Sequence, residues 1–288
     1  MLMTLVAAVS ASAAPVRVPF ELHNNHIYLR TMVNGKGPFF FLFDTGAGSS
    51  GSMIDSSVAA GLALPVEGQL NAGMIGGSKG VSYTGAAKYK IGRLSFDEKR
   101  TAFFELKGQE KEEGHRVDGI FGYSLIREYV IEVNYRSRTL TFYKPGEFKG
   151  IGKAAMLALS ETAKYKVPVV EAAVTTPDGR RIDVSVTVDT GYDGSLLLGR
   201  KFVENNNLKR DAAAPSDPTG SGLGGSTTLA PGRIQRLDLG SLKVVRPATI
   251  FAFDKEGNFS GENAIIGGAL LNRYKLVLNY KEGYLLLQ

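Results

Sequence analysis

Two copies of the triplet Asp-Thr-Gly stand in the sequence, at residues 44–46 and 189–191. Each follows an apolar run of strand length, FFFLF before Asp44 and VSVTV before Asp189. Two carboxyl groups about 3 Å apart cannot both ionise, so one keeps a proton while the other can accept one. Such a pair can take a proton from water and return one to a leaving amine, which suits hydrolysis of a peptide bond without a metal. Asp44 and Asp189 are therefore candidate catalytic residues.

The remaining residues of the two triplets suit a supporting role. The hydroxyls of Thr45 and Thr190 can lock the two loops together. Gly46 and Gly191 let the backbone approach the carboxyl groups where a Cβ would obstruct it. A single triplet is also an ordinary turn, because Asp, Thr and Gly are common turn residues. The catalytic interpretation therefore depends on both triplets holding equivalent places in the chain.

An internal repeat puts them in equivalent places. The segments DGIFGYSLIREYVIEVNY and NAIIGGALLNRYKLVLNY begin at residues 118 and 263. Gly122 lies 78 residues after Asp44, and Gly267 lies 78 residues after Asp189. Repetition at a fixed distance indicates two related halves. Within the 288 residues we predict one lobe over 15–150 and another over 151–288, joined near a stretch rich in Gly, Lys and Pro.

Similar elements are predicted in both halves. Strand–turn–strand patterns with Asn-Gly or Asp-Gly turns precede the triplets, at 27–33 with 38–43 and at 167–175 with 182–188. Short helical patterns follow the triplets, at 53–62 and 198–206. A short helix and two closing strands end each half, the strands at 130–135, 139–143, 276–280 and 284–287. These patterns predict a mostly β protein with two similar β-barrel-like lobes, a few short helices and a cleft between the lobes.

With these motifs the sequence resembles the aspartic peptidases, both pepsin-like and retropepsin-like. Each half has the Asp-Thr-Gly motif and a later pair of apolar residues before Gly122 or Gly267. The resemblance implies the acid protease fold, in which the later segment packs beneath the catalytic loop in a psi-shaped crossing. The Ala after the first triplet is retropepsin-like, whereas two halves fused in one chain are pepsin-like. The whole resembles bacterial retropepsin-like aspartyl proteases, which implies a monomer with an intramolecular dyad.

Two positions depart from the pepsin-like pattern. Where pepsin-like lobes have Ser or Thr three residues after the catalytic Asp, this chain has Ala47 and Tyr192. Losing hydroxyls that favour ionised carboxylates raises their pKa, so we expect a less acidic pH optimum than that of pepsin. Tyr192 is either a packing residue or a pocket wall. Asp193 is either a turn residue or a group that tunes the dyad.

A glycine-rich stretch at residues 74–83 is the candidate flap over the cleft. Its candidate flap residues are Ile75, Gly76, Gly77 and Tyr83. Glycines suit a mobile lid, although Tyr83 is also readily explained as an ordinary strand aromatic. The stretch 220–226 is the expected counterpart in the second half.

Composition excludes several other function classes. The chain has no cysteine, so disulfides and thiolate chemistry are excluded. Its histidines, His23, His26 and His115, lie in polar stretches that are typical of solvated turns, and we expect no metal site and no cofactor. The run KGQEKEEGHR at 107–116 has the composition of a solvated loop. The net charge of +6 comes from basic residues scattered among acidic ones, so nucleic acid is not an expected partner.

The N-terminus indicates export. Residues 1–14, MLMTLVAAVSASAA, form a short apolar run that ends in small residues, as in a secretory signal peptide. This run is too short to span a bilayer permanently, and no later segment reaches the roughly 18 apolar residues that a span requires. We therefore expect an exported protein, periplasmic or secreted, without a stable membrane span.

Two functions from different classes are compatible with these features. The first is an aspartic endopeptidase that hydrolyses an extended polypeptide held in the cleft as an added strand. The second is a non-catalytic peptide-binding module that keeps the fold, which Tyr192 would favour if its ring crowded the cleft. Adjacent carboxyl groups at Asp44 and Asp189 favour the enzyme. A wide separation, or the Tyr192 ring between them, favours the binder.

Overall fold

The computed structural model describes residues 14–48, 51–74, 77–210, 219–222, 225–253, 261 and 263–288. The predicted signal peptide lies outside the described residues except for Ala14. No helix in these ranges has both the length and the apolar character that crossing a membrane requires.

Strands dominate both halves of the chain. The strands of the first half are β1 (Val16–Pro19), β2 (Glu21–His23), β3 (His26–Val33), β4 (Lys36–Phe43), β5 (Ser52–Asp55), β6 (Gly68–Met74), β7 (Gly77–Thr84), β8 (Lys88–Ile91), β9 (Leu94–Asp97), β10 (Thr101–Phe104), β11 (Gly119–Phe121), β12 (Val130–Asn134) and β13 (Thr139–Tyr143). The strands of the second half are β14 (Ala155–Glu161), β15 (Pro168–Thr175), β16 (Arg181–Val188), β17 (Leu196–Leu198), β18 (Thr219–Gly222), β19 (Gly225–Gly232), β20 (Arg236–Leu239), β21 (Leu242–Val245), β22 (Thr249–Ala252), β23 (Ala264–Ile266), β24 (Lys275–Asn279) and β25 (Tyr284–Leu287). The helices are α1 (Ser56–Gly61), α2 (Lys107–Glu113), α3 (Tyr123–Ile126), α4 (Arg200–Asn205) and α5 (Gly268–Leu271).

The hairpins that lead to the two triplets form as predicted. In the first half, β3 and β4 pair antiparallel, and Val33 faces Lys36 across a two-residue turn. Asn34 and Gly35 in that turn have φ of 49° and 76°. Positive φ at both positions is the geometry that Asn-Gly favours in tight hairpins. The second half repeats the hairpin with β15 and β16.

The psi-shaped crossing is present in both halves. In the first, β11 lies between β4, to which it is parallel, and β5, to which it is antiparallel. In the second, β23 lies in the same way between β16 and β17. Phe43 pairs with Phe121, and Val188 pairs with Ile266, so each Asp-Thr-Gly loop begins where a buried central strand ends.

A shared layer of strands joins the two halves. β12 of the first half pairs antiparallel with β24 of the second, with β13 and β1 on one side and β25 and β14 on the other. Buried aliphatic side chains such as Val133, Leu140, Leu276 and Leu285 belong to the main apolar core, which extends through both halves. The protein is therefore a two-lobed, mostly β acid protease fold. The division at residue 150 stays a prediction.

Three local predictions need correction. The helical pattern at 53–62 begins with β5, and the one at 198–206 follows β17, so α1 and α4 are shorter than predicted. The reason is sheet pairing: β5 is buried between β10 and β11, and a helix begins only after Asp55, whose side chain accepts a hydrogen bond from the Ser57 amide. Most of the predicted loop at 107–116 is helix α2, which is capped at its C-terminus by Gly114 in the left-handed region.

Candidate active site

Each candidate catalytic aspartate is fixed by the central strand beside it. The Asp44 amide donates to the Phe121 carbonyl at 2.9 Å, and the Asp189 amide donates to the Ile266 carbonyl at 2.9 Å. Gly122, the residue that follows Phe121, lies directly against the Ala47 carbonyl, where a Cβ would collide. The segments that end in Gly122 and Gly267 therefore pack beneath the two Asp-Thr-Gly loops, as the family resemblance implied.

The threonines of the two triplets bond to each other across the lobes. The Thr45 amide donates to the Thr190 hydroxyl at 3.1 Å, and the Thr190 amide donates to the Thr45 hydroxyl at 2.9 Å. The hydroxyls then donate to the opposite strand, Thr45 to the Val188 carbonyl at 2.6 Å and Thr190 to the Phe43 carbonyl at 2.7 Å. Both threonines are fully buried, so these bonds do not compete with water. The two catalytic loops are thus held in fixed register.

The two glycines of the triplets lie against the opposite carboxyl groups. A Cβ at Gly46 would collide with the carboxyl group of Asp189, and one at Gly191 would collide with that of Asp44. Each carboxyl group also accepts from its own loop. Asp44 Oδ1 accepts from Gly46 at 2.7 Å and from Ala47 at 3.0 Å, whereas Asp189 Oδ1 accepts from Gly191 at 2.8 Å.

The two carboxyl groups have unequal proton affinities. Burial is the largest influence on each, and it raises the pKa of both above 3.8. The charge of Asp44 and the hydrogen bond that joins the two groups raise the pKa of Asp189 further, well above its usual range. That same bond and the amides of Gly46 and Ala47 lower the pKa of Asp44. Asp44 is therefore the member that ionises first, and Asp189 keeps the shared proton. The expected less acidic pH optimum stays a prediction.

Tyr192 does not lie between the two carboxyl groups. Its ring folds back over its own loop, against Gly194 and Gly267, and packs on the small apolar cluster formed with Leu197 and Ile265. In the first lobe the residue equivalent to Tyr192 is Ala47. The apolar cluster that contains Ala47 has an aromatic ring from Tyr28 instead. Tyr192 is thus a packing residue of the second catalytic loop.

The candidate flap is a hairpin, but its residues lie at different places in it. β6 and β7 pair from Gly68 and Tyr83 at one end to Met74 and Gly77 at the other. Gly77 therefore adjoins the tip, whereas Ile75 and Gly76 lie outside the described residues. Tyr83 lies at the base, where its ring packs over Gly68 and under the Arg100 guanidinium. It is a strand aromatic, as the second interpretation held. β18 and β19 form the matching hairpin in the second half.

The prediction that the histidines lie in solvated turns is wrong for His26. His26 is the first residue of β3 and is buried, with Nδ1 2.9 Å from the Glu113 carboxylate and Nε2 3.1 Å from the Gly191 carbonyl. His115 packs its ring on Tyr28. The sequence signal that was missed is the apolar run of Ile27, Tyr28 and Leu29 directly after His26, which is buried together with it in β3. Among the described residues, no group of three or more His, Asp or Glu side chains could hold a metal ion.

Comparison with known families agrees with this architecture. A family model described as aspartyl protease matches residues 29–125, a range that contains the first triplet and Gly122. A search of curated proteins finds no match to the chain. The matched segment runs through the first catalytic loop and its psi-shaped crossing, and the second half repeats both. The match over residues 29–125 therefore supports an aspartyl protease family of retropepsin-like type for this chain.

Proposed function

We propose that the protein is an aspartic endopeptidase whose single dyad, Asp44 and Asp189, hydrolyses peptide bonds by activating a water molecule. The observation that carries the proposal is the pair of reciprocal bonds between Thr45 and Thr190, because these bonds hold the two carboxyl groups side by side. A carboxyl pair that shares one proton in a buried site is the arrangement that acid–base catalysis of this kind requires.

The unequal environments of the two carboxyl groups assign their roles. Asp44, with two amide donors, is the base that takes a proton from the attacking water. Asp189, which keeps the shared proton, donates a hydrogen bond to the scissile carbonyl. As the C–N bond breaks, the proton taken by Asp44 passes to the leaving amine, and Asp189 again holds the proton shared by the pair.

The proposed substrate is an extended polypeptide. A cleft between two β lobes can hydrogen-bond a peptide backbone as an additional strand. The hairpins β6–β7 and β18–β19 supply one glycine-containing strand pair in each half for this purpose. Both aspartates come from one chain, so the proposed active form is a monomer. Export to the periplasm or the exterior is likewise a proposal, which depends on residues 1–14.

Cleavage of a peptide library across a range of pH tests the proposal. Asp44→Asn should lower kcat/KM on the order of 100- to 10,000-fold, because it removes the general base. Asp183→Asn is the matched control, since Asp183 lies on β16 six residues before Asp189 and pairs with Arg181 at the surface. Loss in Asp44→Asn with full activity in the control supports the proposal, and equal activity in both variants contradicts it.

The alternative of a non-catalytic peptide-binding module is an outcome of the same experiment. The feature that motivated it was a Tyr192 ring in the cleft, and this ring packs instead on the small apolar cluster of Leu197 and Ile265. A binder would bind library peptides with unchanged Kd in the wild type and in Asp44→Asn without cleaving them.

A further inference from the structure

His26 joins the first lobe to the second catalytic loop through two hydrogen bonds. Its Nδ1 lies 2.9 Å from Oε2 of Glu113, which ends helix α2. Its Nε2 lies 3.1 Å from the carbonyl oxygen of Gly191. The His26 side chain is only 6% exposed, so water does not replace either bond.

These partners determine where the protons of the pair lie. A carbonyl oxygen only accepts hydrogen bonds, so Nε2 of His26 carries a proton. An ionised Glu113 also only accepts, so Nδ1 carries a second proton and the ring is an imidazolium. Burial is the largest influence on both groups and opposes their charges, but the hydrogen bond and charge of the partner outweigh it, so the pKa of His26 is raised and that of Glu113 is lowered. The charged pair is therefore the favoured form at least between pH 4.5 and pH 6.5, the ordinary pKa values of the two groups.

The carbonyl that His26 binds belongs to a residue that supports the dyad. The amide of Gly191 donates to Asp189 Oδ1 at 2.8 Å, so both backbone polar groups of this residue are engaged. A second hydrogen bond, from Asn25 next to His26, reinforces the contact with the second catalytic loop. Asn25 Nδ2 donates to the Asp193 carbonyl at 3.0 Å, and Asn272 Nδ2 donates to Asn25 Oδ1 at 2.8 Å.

Within the described part of the chain, the second lobe has no equivalent of this arrangement at the position that corresponds to His26. Tyr28 pairs with Leu42 in β3–β4, and Val169 pairs with Thr187 at the corresponding place in β15–β16. His26 lies two residues before Tyr28, so its counterpart is Val167, two residues before Val169. The side chain of Val167 cannot donate a hydrogen bond. Of the two triplet loops, as far as the described residues extend, only the one that carries Asp189 is thus held in this way by a side chain from the opposite lobe.

We propose that His26, held by Glu113, is a positioning residue that fixes the Gly191 carbonyl and thereby the orientation of Asp189. The inference rests on the proposed function, because the orientation of Asp189 matters through the dyad. The cation also acts on the dyad at a distance, since its positive charge lowers the pKa of Asp44 and of Asp189. The titratable groups that face His26 are Glu113 from α2, Tyr28 from β3, and Asp44, Asp189 and Asp193 from the catalytic loops.

Three variants and a control separate positioning from charge and from folding. His26→Leu removes both bonds and the charge. His26→Gln keeps an N–H that can reach the Gly191 carbonyl but has no charge. Glu113→Gln keeps the size of the partner and removes the carboxylate that holds the imidazolium. His115→Gln is the control, because His115 is a neighbouring histidine that stacks on Tyr28 and is not among the groups that contact the Gly191 loop.

A positioning role predicts that kcat changes without a matching change in KM. His26→Leu should lower kcat about 10- to 100-fold, as expected for the loss of a charge-assisted hydrogen bond. His26→Gln should recover part of that loss, and its kcat/KM profile should move to higher pH because both carboxyl pKa values rise without the cation. His115→Gln should match the wild type. Unchanged kcat and an unchanged pH profile in both His26→Gln and Glu113→Gln would overturn the inference, whether or not His26→Leu folds.

A second measurement does not depend on activity. Side-chain ¹⁵N NMR should show both ring nitrogens of His26 protonated in the wild type at pH 6, below the ordinary histidine pKa of 6.5, and ¹³C NMR should show the carboxyl pKa values of Asp44 and Asp189 rising in His26→Gln. Those shifts in a protein that cleaves no peptide would reject the proposed peptidase while keeping His26 as a group that acts on the dyad. A neutral His26 in the wild type, with carboxyl titrations that do not change in His26→Gln, would overturn the inference even in an active enzyme.

Discussion

Thr45 and Thr190 exchange hydrogen bonds across the interface of the two lobes: the amide of each donates to the hydroxyl of the other. Each hydroxyl in turn donates to the last residue of the strand that leads to the opposite loop, Val188 or Phe43. The bonding pattern has the same two-fold symmetry as the sequence repeat. The arrangement of the two carboxyl groups is consequently a property of the pair of lobes and not of either lobe alone.

Replacing one threonine should uncouple the loops. Thr45→Val keeps the shape of the side chain but leaves the Thr190 amide and the Val188 carbonyl without a partner in a buried site. We expect a loss of about 2–4 kcal/mol in the free energy of unfolding, because orphaned buried polar groups are costly. Urea unfolding followed by circular dichroism gives this quantity.

Thr45→Ser is the control for that change. It keeps the hydroxyl and loses one methyl group, so it should cost only about 1 kcal/mol and retain activity. If Thr45→Val is no less stable than Thr45→Ser, the reciprocal bonds do not hold the lobes together.

The triplet glycines should tolerate no side chain. A Cβ at Gly46 would meet the Asp189 carboxyl group, so Gly46→Ala should displace the dyad and lower kcat/KM at least about 100-fold, consistent with the sensitivity of catalysis to small misplacements. Gly61→Ala is the matched control, because open space surrounds Gly61 at the end of α1. The control should be neutral or more stable by about 0.5–1 kcal/mol, since Ala favours helices over Gly. An active Gly46→Ala enzyme would mean that the two loops are further apart than described.

Much of this site follows from the sequence. The parts that the sequence did not predict were missed for a common reason. The repeat locates Asp44, Asp189 and the two glycine motifs, because equal spacing in related halves places equivalent residues around a common axis. The contact between His26 and Glu113 joins residues 87 positions apart, and no local pattern reports such a pair. The Tyr192 ring turns toward the core because Gly194 and Gly267 leave room for it, and the sequence alone does not give that direction.

The proton held by Asp189 should make stability depend on pH in a definite direction. A carboxyl group whose pKa is raised in the fold contributes stability below its unfolded pKa, near 3.8, and loses that contribution as pH rises through the folded value. Asp189→Asn mimics the protonated group at every pH. Its Tm should therefore exceed that of the wild type at pH 7, and the difference should vanish near pH 3.

Thermal unfolding of both proteins across that range checks the sign. A Tm of Asp189→Asn below that of the wild type at pH 7 would show that the ionised carboxylate is favoured in the fold. The dyad would then not share a proton.

Tyr192 should matter for stability more than for chemistry. Tyr192→Phe keeps the ring that packs over Gly194 and Gly267, so kcat/KM should stay within about threefold of the wild type. Tyr192→Ala leaves a cavity beneath the second catalytic loop and should cost about 3 kcal/mol of unfolding free energy. Tighter substrate binding in Tyr192→Ala, with no loss of stability, would instead identify the ring as a wall of the binding pocket.

The most direct measurement compares the rate of peptide cleavage by Asp44→Asn, by Asp189→Asn and by an equimolar mixture of the two with that of the wild type. Because one chain supplies both carboxyl groups, each variant should lose activity on the order of 100- to 10,000-fold, and mixing should restore none of it. Cleavage by either variant at more than about a tenth of the wild-type rate would contradict the account, because removal of a catalytic acid or base produces a larger loss. Recovery of activity in the mixture would also contradict it.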